Sequence, residues 1–361
     1  MTKTAPLLAA LVALSACQSL SHLGQSPAAY LVETGETDRA WIGEDFFANR
    51  LQDWRVRGGR LECSVGAKKH PLRTAQLLTS SLSGARGDLY LSVATGAVSE
   101  GALEAEAFHG FLLGGGGEHV DYRLSAQIHS KPGEDGGVLA VLDASGQVQL
   151  HDNSGAYSGG SWSVSGPLKR DAIPLIQEAV REGAGFAGRA RVPALLSLEA
   201  RPTADGYTLE LKATTRTGGE LLSRAVYEEL PAHQLDGCLA LVSHLGTKSP
   251  RTGFWFQDWT MSGSKLQRHP ERAWGPVLAC QHTLSEGTLK LTAQAVPLGP
   301  GEGTEARLEI REAAGWREVA RATLTPLSYT YPFKVRGWDS SRDVPYRVIS
   351  EARGSGGRME E

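Results

Sequence analysis

The sequence predicts an all-β protein built of two β-sandwiches behind an export signal. Three observations carry this expectation. Short β-branched or alternating apolar runs recur between Gly-rich breaks, in a chain of 361 residues with 43 Gly and 17 Pro. Helical periodicity is confined to one stretch near residues 171–182. The first 17 residues have the build of a lipoprotein signal.

The N-terminus comes first. Lys3 gives a short positive region, and residues 7–14 form an apolar run too short to span a membrane, which takes roughly 20 residues. Leu14, Ser15 and Ala16 precede Cys17, so small residues sit where a lipoprotein signal peptidase needs close backbone access. Residues 1–17 are therefore expected to be a signal peptide with lipobox, with the lipid on Cys17. Gln18 rather than Asp follows, which favours the outer membrane or cell surface, facing periplasm or exterior. A second acyl chain on the new N-terminus would make the anchor stable. Residues 18–39 read as a tether, rich in Ser, Gln and Gly at their start.

Residues 40–264 are expected to be the larger sandwich. Candidate strands are 60–65, 75–79, 88–94, 122–129, 137–143 and 148–151, then 194–199, 207–214, 220–227, 237–244 and 253–261. Residues 122–129 alternate apolar Tyr122, Leu124, Ala126 and Ile128 with polar neighbours, the pattern of a half-buried strand. The turn at Asp143–Gly146 and the pair Asp205-Gly206 are hairpin signals. A helical insertion is expected near 171–182, with Pro174 in its first turn and Ile173, Ile176, Ala179 and Val180 on one face. The Gly-rich run 110–117 lacks the lysine and helix start of a phosphate loop and reads as a mobile loop beside a strand.

Residues 265–275, with Lys265, Arg268, Glu271 and Arg272 around Pro270, read as an inter-domain linker. Residues 276–351 carry strands at 277–282, 288–295, 306–311, 317–324, 328–335 and 346–350, the spacing of a small immunoglobulin- or fibronectin type III-like sandwich. Residues 352–361 are a Gly-rich polar tail, expected to be disordered.

Charge and motifs bound the chemistry. The net charge of −3 is evenly spread, with no basic block to follow phosphates, so nucleic acid is not an expected partner. No H-E-x-x-H, C-x-x-C, G-x-S-x-G or P-loop is present. A glycosidase needs two flanking carboxylates; the nearest approach is Glu104 and Glu106, but Phe108 and His109 stand where a third carboxylate would. The ten histidines are scattered, and no metal site or catalytic residue is assigned. Beyond Cys17 there remain Cys63, Cys238 and Cys280. Cys63 and Cys238, in strands of one domain, are the pair that would form a disulfide; the alternative is three small buried apolar side chains. The densest feature is the aromatic run 254–259. As a regular strand it places Trp255, Gln257 and Trp259 on one face, where exposed indoles beside an amide would stack on a sugar ring; core packing is the competing reading.

The opening Asp53-Trp54-Arg-Val-Arg-Gly-Gly-Arg-Leu61 and the closing strand 255–263 resemble the laminin-G/concanavalin A-like superfamily. The segments 256–265, 269–276, 283–293 and 335–348 come in an order similar to the region preceding the catalytic domain of exported metallophosphoesterases related to alkaline phosphatase D. That resemblance implies a concanavalin-like sandwich followed by a small β-domain. The metal-binding Asp, Asn and His motifs of such enzymes have no counterpart here. The cofactor therefore stays unknown. Laminin-G-like relatives make calcium the cation to consider, although no ligand set is spaced for it. The expected function is a lipid-anchored, non-catalytic envelope module for a glycan or another envelope polymer. The alternatives are the accessory portion of a metallophosphoesterase whose catalytic domain is encoded separately, and a glycoside hydrolase or lyase on the same fold.

Overall fold

The computed structural model describes residues 29–32, 34–65, 72–99, 103–117, 119–128, 136–153, 173, 175–187, 192–246 and 253–350. Cys17, most of the expected tether and residues 352–361 lie outside them. Among the described residues, no helix is long and apolar enough to cross a membrane.

The larger domain is two antiparallel sheets. Its strands are β1 (Tyr30–Val32), β2 (Phe46–Ala48), β3 (Trp54–Arg57), β4 (Arg60–Cys63), β5 (Leu72–Leu82), β6 (Leu89–Ala97), β7 (Phe108–Gly116), β8 (Val138–Asp143) and β9 (Val148–Asp152). They continue with β10 (Val180–Glu182), β11 (Ala194–Pro202), β12 (Gly206–Thr215), β13 (Leu221–Pro231), β14 (Gly237–His244), β15 (Phe254–Ser262) and β16 (Leu266–Arg268). The first sheet runs β10-β13-β12-β11-β6-β15-β4-β3, with β1 also on β15. The second runs β16-β5-β14-β7-β8-β9, with β2 also on β5. This is the sandwich expected from the strand pattern. β11 shows the cause: Ala194, Leu196, Leu198 and Ala200 are buried between the sheets, while Ser197 and Glu199 face out. At the predicted Asp205-Gly206 turn, the Thr203 hydroxyl accepts from the Gly206 N–H and closes the β11–β12 hairpin.

The smaller domain pairs β17 (Val277–Ser285), β18 (Thr288–Ala295) and β21 (Thr330–Arg336) in one sheet. Its other sheet holds β19 (Glu305–Glu312), β20 (Gly315–Thr323) and β22 (Tyr346–Ser350), giving the expected small sandwich. Its core is built on Leu291, Ala293, Leu308, Tyr331 and Phe333, and it recruits Trp41 from the other end of the chain.

Five expectations are corrected. Residues 122–128 form a helix, α1 (Tyr122–Ile128), not a strand. Asp121 starts it: its carboxylate accepts from the Arg123 N–H and its carbonyl from the Ser125 N–H. The buried side chains are Ser125 and Ala126, with Tyr122 half-buried, so the working period is helical. The expected helix at 171–182 is absent from its described part: Val180–Glu182 is an edge strand on β13, and of the expected stripe Ile173, Ile176 and Ala179 are buried while Val180 is exposed. The Gly-rich run is not a loop but β7, buried throughout and paired to β14 and β8. Residues 265–275 are not a free linker. Lys265 is buried with its ammonium 5.0 Å from the Tyr207 ring, and β16 pairs with β5. The strand Tyr30–Val32 likewise belongs to the first sheet rather than to a tether.

The two domains share a buried joint. The Arg39 guanidinium lies 2.6 Å from Glu302, with both side chains almost wholly enclosed, and Arg39 also donates to the Trp41 carbonyl. Trp41 and Trp274 meet edge to face at 6.4 Å, and the Trp274 indole N–H donates to the Phe46 carbonyl. Arg39→Met leaves the Glu302 charge buried and uncompensated, so unfolding free energy should fall by about 3–5 kcal/mol; chemical denaturation followed by tryptophan fluorescence measures it.

His109 on β7 faces the core, stacked on Phe254 with centroids 3.9 Å apart. Burial pushes its pKa down from 6.5 to about 3. The folded imidazole thus stays neutral where the unfolded one protonates, and stability is lost as pH falls from 6.5 towards 3. The slope from this group is on the order of 1.4 kcal/mol per pH unit. His109→Phe should lose that increment, so its stability relative to wild type rises steadily across pH 6.5–4 and stays flat above pH 7, as read by urea titrations at each pH.

Candidate functional site

The second sheet divides into two zones on its outer face. Towards β8, Phe108, Leu112, Leu139, Val141, Ala240 and Val242 make an apolar cluster with Ile173. Towards β5 the same face becomes polar and recedes into a groove of about 560 Å³.

The local backbone explains the groove. On β5, Leu77 faces Leu239 but Ser81 faces Cys238, so residues 78–80 bulge out of the ladder. The bulge is held from outside: the Leu78 N–H donates to the Asp45 carbonyl, and the His269 N–H donates to the Thr79 carbonyl. Opposite, Gly115 of β7 and Gly237 of β14 leave bare backbone as floor.

One wall is α1 and the loop before it, with His119, Asp121 and Tyr122. The other is β16 and the segment after it, with Gln267, His269 and Arg272. Arg272 spans the two, its guanidinium carbon 4.4 Å from the Tyr122 ring centre. The Gln76 amide donates to the Tyr122 carbonyl at 2.9 Å and fixes α1 on the sheet. His269 Nε2 lies 2.9 Å from the Ser81 hydroxyl, and its Nδ1 lies 3.3 Å from Glu271. Burial, then the Arg272 charge, lower the His269 pKa, so the ring is neutral at pH 7. Asp121 is held well down, to about 2, by the Arg123 guanidinium. The groove thus offers hydroxyls, an amide, an imidazole and a guanidinium along a backbone floor. Such a set can hold a polyhydroxylated molecule by many moderate hydrogen bonds. Among the described residues, no group of three or more His, Cys, Asp or Glu side chains is arranged to hold a metal ion.

The sequence-predicted site residues lie elsewhere. Trp255, Gln257 and Trp259 do not share a face. Asp258 adopts φ +55°, and the β15–β6 register shifts between Gln257 and Thr260. This bulge turns Trp259 inward, where it is 2% exposed and packs on Phe46 and Phe111. Trp255 stays on the outer face of the first sheet but is only 4% exposed, with the Arg60 guanidinium 4.2 Å over its ring. The Gln257 amide oxygen accepts from Arg216. Core packing therefore wins at Trp259, and a side chain already covers Trp255.

Of the two readings of the cysteines the disulfide is the one excluded: Cys63 and Cys238 are both free and buried. Cys63 sits beside Ser243, five residues along β14 from Cys238. At ~3.3 Å per residue that is about 16 Å, far beyond the ~7 Å a disulfide tolerates between Cα atoms. Burial pushes the Cys63 thiol up to about 11.

The groove residues Ser81, Tyr122, His269 and Arg272 were not singled out by sequence reasoning. Tyr122 was read as a strand residue, and His269 and Arg272 lie in the segment read as a linker. The available signal was the run Thr79-Ser-Ser-Leu-Ser83, which places hydroxyls in a strand flanked by buried positions.

No family model matches the chain, and no curated protein matches it. Solved structures do resemble it. Lectin II from Ulex europaeus is 8% identical, over 66% of this chain and 99% of that one, with a TM-score of 0.43. Arcelin-5, a lectin-like defense protein from Phaseolus vulgaris, is 9% identical, over 67% and 100%, with a TM-score of 0.41. The VIP36 exoplasmic/lumenal domain in its Ca2+/Man3GlcNAc-bound form is 9% identical, over 63% and 86%, with a TM-score of 0.37. These are likenesses of fold, and no residue is transferred from them.

Both thiols should react when the protein is denatured without reductant. Alkylation followed by mass spectrometry is expected to label Cys63 and Cys238 fully, and reductant should leave the melting temperature unchanged.

Proposed function

We propose that this chain is a non-catalytic carbohydrate-binding module of the cell envelope, held to a membrane by a lipid on Cys17. One observation carries the binding reading: the groove over the second sheet, where the Ser81 hydroxyl, His269 and the Arg272–Tyr122 stack line one continuous surface. Its volume of about 560 Å³ falls within the range of about 300–1,000 Å³ typical of ligand sites. An arginine held over an aromatic ring still has outer N–H groups to donate to the hydroxyls of a sugar. The anchor rests on Leu14, Ser15 and Ala16 before Cys17. An accessory role beside a separately encoded hydrolase rests on the motif order alone and would use the same groove.

A glycan array followed by calorimetry on the best ligand tests this. Arg272→Ala should weaken binding about tenfold or more, the scale of one lost charge-assisted hydrogen bond. Ser81→Trp should block the groove and abolish binding, while Trp255→Ala leaves it unchanged. Undiminished binding in Ser81→Trp would remove the groove from consideration. Fatty-acid labelling and membrane fractionation, both lost in Cys17→Ser, test the anchor.

A further inference from the structure

A second cavity, of about 300 Å³, opens at the end of the sandwich where β6, β11 and β15 of the first sheet part from β7 and β8 of the second. It is distinct from the groove and shares no residue with it. Leu103, Leu142, Phe186, Val192 and Phe254 make the apolar half of its wall, and Thr95, Ser99 and Asp143 add polar groups to the rest.

Two more polar groups, Arg60 and His109, border it. Arg60 flanks the opening, half-exposed, with its guanidinium 4.2 Å over the Trp255 ring. Among the described residues no carboxylate forms an ion pair with it; neighbouring Glu62 is engaged by Arg55. The second is His109, 3% exposed, with neither ring nitrogen holding a hydrogen bond. The wall covers both nitrogens as it stands; buried polar groups nearly always find partners, so a ligand group that displaces that wall meets an unsatisfied imidazole. Asp143 also borders the cavity, but its carboxylate accepts from Ser145, Gln147 and Gln149 in its own turn.

We propose that this rim cavity binds a small amphiphilic carboxylate. The acid lies on Arg60 at the mouth, the alkyl body lies between Leu103, Phe186 and Phe254, and a hydroxyl near the inner end meets His109. Arg60 is suited to the task because the indole beneath orients its fork while leaving its charge unneutralised. A cavity of 150 Å³ lined by aliphatic and aromatic groups already holds benzene, so twice that volume takes a medium chain with its head group outside.

Calorimetry with octanoate, 8-hydroxyoctanoate and octanol tests this on the full chain. The expected order of affinity is 8-hydroxyoctanoate, octanoate, octanol, with about tenfold between the last two. Arg60→Gln should bring octanoate down to octanol, and His109→Phe should remove the advantage of the hydroxylated acid. Ala194→Trp should fill the cavity and abolish all three. Arg60→Gln is a surface change whose melting temperature should match wild type, so it keeps the test valid if the filled variant does not fold. No binding at millimolar ligand, or an order unchanged in both Arg60→Gln and His109→Phe, overturns the proposal. Glycan binding measured in Arg60→Gln separates this result from the groove: it should stay intact whatever the fatty acids do.

Discussion

The larger domain depends on how closely β7 can approach its neighbours. A Cβ on Gly114 would overlap the Gln234 carbonyl, one on Gly110 would overlap the Ala140 carbonyl, and one on Gly137 would overlap the Leu113 carbonyl. Gly114 and Gly137 also take positive φ, which side chains resist. Only a glycine-rich strand fits the middle of the second sheet. From that constraint follows the groove: where β7 ends in Gly115 and Gly116, nothing fills the space above β14, and the floor is backbone. Glycine usually weakens a strand; here it is retained because both faces of β7 are enclosed.

The second constraint is the joint. Trp41 belongs by sequence to the larger domain and by packing to the smaller one's core. Residues 39–46 and 269–276 therefore do not act as a hinge. The Arg39–Glu302 pair is enclosed, and the Trp274 N–H is bonded to β2. The joint also orients Arg272, which lies two residues before Trp274, over the groove. The smaller domain thus contributes to the candidate site indirectly, by fixing the segment that carries its cation.

The strand pattern was legible because alternation survives wherever one face is buried and the other wet, as in β11 and β12. Legibility failed where local chemistry overrides period. Residues 122–128 fit both a period of 2 and a helical stripe, and the Asp121 cap decides between them. The glycine run looked like a loop because its burial comes from neighbours distant in sequence. The charged segment 265–275 looked solvated, yet the Lys265 stem is covered and its ammonium rests on Tyr207. The groove was invisible for the same reason: Ser81, Tyr122 and Arg272 lie on separate elements, and none has a motif of its own.

Bulges decide which faces of this sandwich remain open to a ligand. On β15, the extra residue at Asp258 rotates Trp259 into the core, so an aromatic run that would otherwise line the first sheet's outer face becomes packing. On β5, the bulge at residues 78–80 does the opposite. It lifts the backbone out of the ladder towards Asp45 and His269 and leaves Ser81 facing the groove. An odd number of inserted residues in one strand of an antiparallel ladder, one on β15 and three on β5, reverses the facing of every later side chain in that strand. The two sheets therefore reached opposite outcomes by one device: a sealed aromatic face on the first and a hydroxyl-lined recess on the second.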